Sequence, residues 1–232
     1  MGSIMLIMQV FRQPGLPRAV GIGYFGQVSS EPVVAITPRA TRPIGEAQRN
    51  RRQEETFRKV LAAGVEVLRE KSYADLTVRA VAARAKVAPA TAYTYFSSKN
   101  HLIAEVYLDL VRRVPYFTDV NEPMPTRVDK ALRHLALVVA DEPEVAAACT
   151  AALLGGGSDP AVRSARDRIG AEIHRRITSA IGPEADPRTV SVLEMAFFGA
   201  LVNAASGAYT YHQIADHLGY AAGLILTTRE NR

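Results

Sequence analysis

The stretch LTVRAVAARAKVAPATAYTYFSSK, Leu76 to Lys99, decides how this chain is built, because two short helical patterns meet in it across a three-residue break. Thr77 is a good N-cap, and Val78, Val81, Ala82 and Ala85 then fall at i, i+3, i+4 and i+7. Lys86 to Ala88 interrupt that period. Pro89 restarts it, since its fixed φ suits a first helical position and its missing N–H would have had no partner there. In the second helix, Pro89 to about Phe96, Ala92 and Phe96 lie four apart and can anchor it inward. Ala90, Thr91, Thr94 and Tyr95 then take other faces. Small, hydroxylic and phenolic groups on an exposed helix suit a DNA groove, so the spacing predicts a helix-turn-helix.

The run Val87 to Lys99 resembles the recognition-helix signature of the TetR family of bacterial transcriptional regulators, and Thr77 to Ala82 resembles the helix before it. The resemblance covers about 50 residues, from Arg49 to Leu102. It implies an all-α fold with an N-terminal three-helix helix-turn-helix domain and a C-terminal helical domain for effector binding and dimerisation. The boundaries are expected as an extension over 1–44, a DNA-binding domain over 45–100 and the effector domain over 101–232. The matching positions imply that Thr91, Thr94 and Tyr95 face base edges or flanking phosphates and that Tyr93 and Lys99 hold phosphates. Thr77, Arg79, Pro89 and Ala90 complete the expected DNA-facing set. Arg51, beside Arg49 and Arg52, either reaches phosphate or minor groove or is simply solvated. Three departures stand out: Lys86 where glycine is frequent, Ala80 in place of an acidic capping-box residue, and Asn100 in place of an acid. The first predicts a turn strained by roughly 1 kcal/mol, with a non-glycine residue at positive φ.

Charge follows the same division. Residues 39–99 carry 13 Lys and Arg against 6 Asp and Glu, whereas residues 100–232 carry 13 against 16. A basic module on a mildly acidic body is the electrostatic footprint of phosphate binding. At 232 residues and 48% hydrophobic content the chain can bury a full core. No run approaches a membrane span and no secretion signal is read, so a soluble protein without a membrane partner is expected. One cysteine suits a reducing cytoplasm. No nucleophile elbow, phosphate-binding loop, zinc helix or dinucleotide fingerprint occurs, and the five histidines share no i, i+4 spacing. The expectation is therefore no enzyme, no cofactor and no metal.

Residues 1–44 are rich in proline and glycine and hold no period, which predicts a flexible extension. Helices are expected over 51–71, 100–114, 127–140, 144–154, 159–181, 188–209 and 211–227. The 188–209 segment is apolar nearly all round, which predicts a fully covered helix, either central in a monomer or docked against a second copy. The resemblance favours the second, a homodimer through the last two helices reading a palindromic double-stranded DNA operator. It also implies a repressor released by a small lipophilic effector, with Tyr107, Val111, Phe117, Val138, Cys149, Met195, Phe198 and Val202 as candidate lining and His134 or Asn203 as polar handles. The alternatives are an activator, or an all-α carrier or enzyme whose helix-turn-helix no longer binds DNA.

Overall fold

The computed structural model describes residues 44–155, 159–183 and 185–230, with the backbone alone for 44–50 and 228–230. The expected extension lies outside the described residues up to position 43. The chain divides into two units, Met1–Glu55 and Thr56–Arg232, and the packing below concerns the second.

Nine helices and no strand occur among the described residues. They are α1 Ile44–Glu70, α2 Val78–Arg84, α3 Pro89–Tyr95, α4 Lys99–Arg113, α5 Met124–Leu137, α6 Pro143–Gly155, α7 Pro160–Ile181, α8 Pro187–Ala205 and α9 Tyr211–Glu230. Their starts follow elementary capping chemistry. Thr77, Ser98, Asp159 and Asp186 each accept a backbone N–H with the side chain, and Pro89, Pro160 and Pro187 occupy first turns.

α4 is the central element. It packs along both α6 and α7, while α5 lies against α9 and α7, and α8 against α9. Phe96, Leu102, Ile103, Leu108 and Val111 are fully buried in the same core as Val60 and Leu68 of α1 and Leu132 and Leu135 of α5. α1 approaches α4 closely at Gly64, where a Cβ would lie 3.2 Å from Leu102 Cδ2.

The expected end of α8 is corrected. The helix ends at Ala205 rather than Tyr209, because Gly207 takes φ +75° and the N–H groups of Gly207 and Ala208 return to the carbonyls of Ala204 and Asn203, each at 3.0 Å. This Schellman closure stops the helix a turn before its apolar pattern runs out. Nor is α8 fully covered within one chain. Val190, Leu193 and Phe197 are buried, but Val192 and Met195 are exposed, the latter by 63%.

A candidate nucleic-acid interface

The turn between α2 and α3 is closed by backbone geometry. Lys86 has φ +56°, its N–H donates to Ala83 O at 3.1 Å, and Val87 N–H donates to Ala82 O at 3.0 Å. That pair of bonds is a Schellman motif with lysine where glycine is usual. Val87 folds back onto Val78, Ala82 and Ala92, which form a small core of their own beneath the two helices. At the other end Thr77 Oγ1 accepts Ala80 N–H at 3.1 Å, so half of a capping box is present without the acidic residue.

α3 is held from below by Ala92 and Phe96, both 0% exposed. Phe96 stacks on Phe57 of α1, with ring centroids 5.1 Å apart at 23°. Aromatic stacking of this kind fixes the helix more firmly than its seven residues could fix themselves. The outer face presents Pro89, Ala90, Tyr93 and Thr94 to solvent, with Thr91 half-buried and Tyr93 53% exposed. Thr94 Oγ1 donates to Thr91 O at 2.6 Å, which leaves the hydroxyl oxygen free to accept. Arg51, Thr77 and Arg79 are also exposed, and Arg84 is tied to Glu66 and Glu70 of α1.

Two expected DNA-facing residues are placed differently. The Tyr95 ring is half-buried, edge-on to Phe57 at 6.0 Å and packed on the main core, so it does not share the open face with Thr94. Lys99 turns back on the protein: Nζ donates to the carbonyls of Tyr73 and Ala74 at 3.1 and 3.2 Å and lies 4.6 Å from the Tyr73 ring centre. The partners of both residues come from α1 and the loop after it, which spacing within 76–99 does not disclose.

α4 joins this module to the helices beyond. Ser98 caps α4 and donates its hydroxyl to Asp159 Oδ2 at 2.9 Å, while Asp159 caps α7 by accepting Ala161 N–H at 2.9 Å. Burial works against the Asp159 charge, yet the Ser98 hydroxyl and the N–H groups of Ala161 and Val162 hold its carboxyl below the ordinary value. About two turns on, buried Glu105 meets His101 Nε2 at 3.3 Å and Arg168 of α7. Burial opposes that charge too, and His101 and Arg168 still keep it below the usual carboxylate range.

The expected effector residues separate into two places. Tyr107, Val111 and Cys149 are buried, and Tyr211 of α9, which spacing did not single out, lies near Tyr107 and Cys149. Burial pushes the Cys149 thiol up to about 12, so it is an inert apolar group. Phe117, Val138, Phe198 and Val202 are partly buried. Met195, Asn203 and His134 are exposed, which corrects their placement as interior lining. Asn203 Nδ2 donates to Gly199 O at 2.8 Å on its own helix, and His134 leans on Phe117 with ring centres 4.8 Å apart. No group of three or more metal-ligating side chains occurs among the described residues.

Residues 60–106 match the family model described as bacterial regulatory proteins, tetR family. Over 200 residues the chain is 77% identical to an HTH-type transcriptional regulator of Mycobacterium tuberculosis strain ATCC 25618 / H37Rv, spanning 85% of this chain and 94% of that protein. The chain belongs to the tetR family. It is a TetR-family helix-turn-helix transcriptional regulator. The fold extends well past the matched segment: a TetR transcriptional regulator from Rhodococcus sp. RHA1 superposes with a TM-score of 0.63 at 23% identity, covering 78% of this chain and 98% of that one. A multidrug binding protein complexed with imidazole superposes at 0.53 with 17% identity, over 82% of this chain and 97% of that one. No helix is long and apolar enough to cross a membrane among the described residues.

Proposed function

We propose that this TetR-family regulator is a cytoplasmic homodimeric repressor that binds a palindromic operator and is released by a small lipophilic effector. The observation that carries the reading is the outer face of α3. Ala90, Thr91, Tyr93 and Thr94 stand on a helix fixed by Phe96 and Phe57, where rigid mounting lets hydroxyls hold register against base edges. Residues 45–100 read DNA, with Arg51, Thr77 and Arg79 on phosphates, and residues 101–232 supply effector binding and dimerisation. Lys99 and Tyr95 position the reading helix from within the protein.

The dimer reading rests on apolar surface that one chain leaves open: Val192 and Met195 on α8, and Tyr220 and Leu224 on α9, the tyrosine 72% exposed. Apolar side chains left open on two helices that pack together are what a second copy would cover, and two-fold symmetry matches two half-sites. The effector reading rests on the apolar interior around Tyr107, Val111 and Cys149 with the phenols of Tyr107 and Tyr211 as the polar handles, in a fold that also serves a multidrug binding protein.

Genome-wide DNA capture followed by titration of the recovered fragment at two salt concentrations tests this. Expected are one enriched palindromic site and an affinity that falls steeply with salt. Capture without sequence preference, or binding insensitive to salt, overturns it.

A further inference from the structure

Four cations stand between Leu76 and Lys99, and the fold uses only two of them. Arg84 is tied to Glu66 and Glu70, and Lys99 Nζ donates to the carbonyls of Tyr73 and Ala74. Arg79 and Lys86 are exposed, and neither side chain makes a hydrogen bond or ion pair among the described residues. Arg79 is already placed on phosphates above. Lys86 is left without a role, although it occupies the position where a side chain is hardest to accommodate. At φ +56° its Cβ crowds the neighbouring carbonyl, and glycine would close the same Schellman turn without that conflict. The turn itself does not need the side chain, because both of its bonds come from backbone N–H groups, Lys86 to Ala83 O and Val87 to Ala82 O. Strain that the fold does not require, at the edge of a binding face, points to a use for the side chain outside the fold.

The turn also aims that side chain. Val87 is drawn inward onto Val78, Ala82 and Ala92, so the residues on either side of it, Lys86 and Ala88, are left outward, and both are exposed. From Ala88 the open surface continues through Pro89 and Ala90 onto the outer face of α3, with Tyr93 and Thr94. Lys86 therefore stands at the rim of the reading face. We propose that Lys86 is a phosphate-binding residue of the DNA interface, its ammonium meeting a backbone phosphate beside the bases that α3 reads. It takes the part that Lys99, turned back on the protein, does not play. A compact charge on a flexible four-carbon stem suits this, since it meets a phosphate oxygen without demanding one geometry and adds affinity rather than sequence preference. The proposal rests on the DNA-reading role given to α3 above.

The full chain is titrated by fluorescence anisotropy against its captured operator and against a random duplex of the same length, each over a range of salt concentrations. Lys86→Ala keeps the positive φ and removes the charge. It should weaken binding to both duplexes alike, by about three- to tenfold for each bound chain, and lower the salt slope by about one unit for each bound chain. Lys86→Arg should keep the parent's slope. Lys86→Gly should lose affinity and slope as alanine does while melting no lower than the parent, which separates the contact from any effect on folding. An unchanged slope in Lys86→Ala, or a loss confined to the operator, overturns the proposal and leaves the DNA-reading role of α3 standing. Binding by the parent chain that is insensitive to salt removes that role and this proposal with it.

Discussion

Replacing Lys86 by glycine should stabilise the protein. Lys86 sits at φ +56° in the turn between α2 and α3, the one non-glycine residue with positive φ among those described. A side chain in the left-handed region costs about 1–2 kcal/mol, because Cβ crowds the carbonyl oxygen. Glycine removes that strain but gains freedom in the unfolded chain, which returns about 0.4–1 kcal/mol. The lysine side chain is exposed, so no packing is lost, and the N–H bonds to Ala83 and Ala82 belong to the backbone and survive. The net expectation for Lys86→Gly is a gain of roughly 0.5–1 kcal/mol, or about 1–4 °C in melting temperature for a chain of this size. Urea titration at fixed protein concentration measures the change without confusing it with self-association. Lys86→Ala is the control, since alanine suffers the same φ and should stay within about 0.5 kcal/mol of the parent. If glycine proves no better than alanine, or lowers stability, the turn is not strained and the reasoning from φ fails.

Four further outcomes follow from named contacts. Thr94→Ala should weaken operator binding by about 1–3 kcal/mol and relax the preferred sequence, as read by competition among mutated operators. Lys99→Ala should lower stability by about 1 kcal/mol through the carbonyls of Tyr73 and Ala74 and leave the salt dependence of DNA binding unchanged; a slope reduced by one unit would return the residue to the phosphates. Met195→Glu should convert a dimer to a monomer in light scattering, whereas in a monomeric protein a charge at this exposed position would change nothing measurable. Stability should fall in acid: Asp159, Glu105 and Glu172 are all held below their ordinary values, so their contribution is complete above the unfolded carboxylate range near about pH 4 and is lost as pH drops through the lower folded values, which melting curves from neutral pH downward will show.

Features governed by neighbours a few residues away were legible in the sequence. The Thr77 cap, the proline start at Pro89, the strained Lys86 and the inward pair Ala92 and Phe96 all depend on local φ, ψ and period, and the structure places each as the spacing predicts. What escaped depends on residues distant in sequence. Tyr95 reads as an open-face residue until Phe57 arrives from α1, and the two carbonyls that Lys99 meets belong to a loop outside the motif. The all-round apolar pattern of α8 could not distinguish a buried helix from one whose second face awaits cover, and it hid the stop at Gly207. Arg166 was indistinguishable from its neighbouring arginines, because its distinction is a buried Nε without a hydrogen-bond partner among the described residues.

The ties along α4 bear on how the two ends of the protein can be coupled. α4 and α7 are fastened at three heights: Ser98 to Asp159 at their first turns, Glu105 to Arg168 one to two turns on, and at the far end Arg176, which donates to Arg112 O at 2.8 Å and Val114 O at 3.0 Å while Glu172 holds Arg112 at 3.2 Å. Arg176 is 2% exposed, so its bonds to the Arg112 and Val114 carbonyls lie in low dielectric, where breaking one partner is more costly than at the surface, whereas Arg168 and Arg112 hold their carboxylates from the rim. A pair fastened in this way shifts as one body rather than bending. Ser98 directly follows Ser97 and the C-cap of α3, and Phe96 seals the underside of that helix. A displacement of α7 therefore reaches the base of the reading helix through only the three residues Phe96, Ser97 and Ser98 that link α3 to α4.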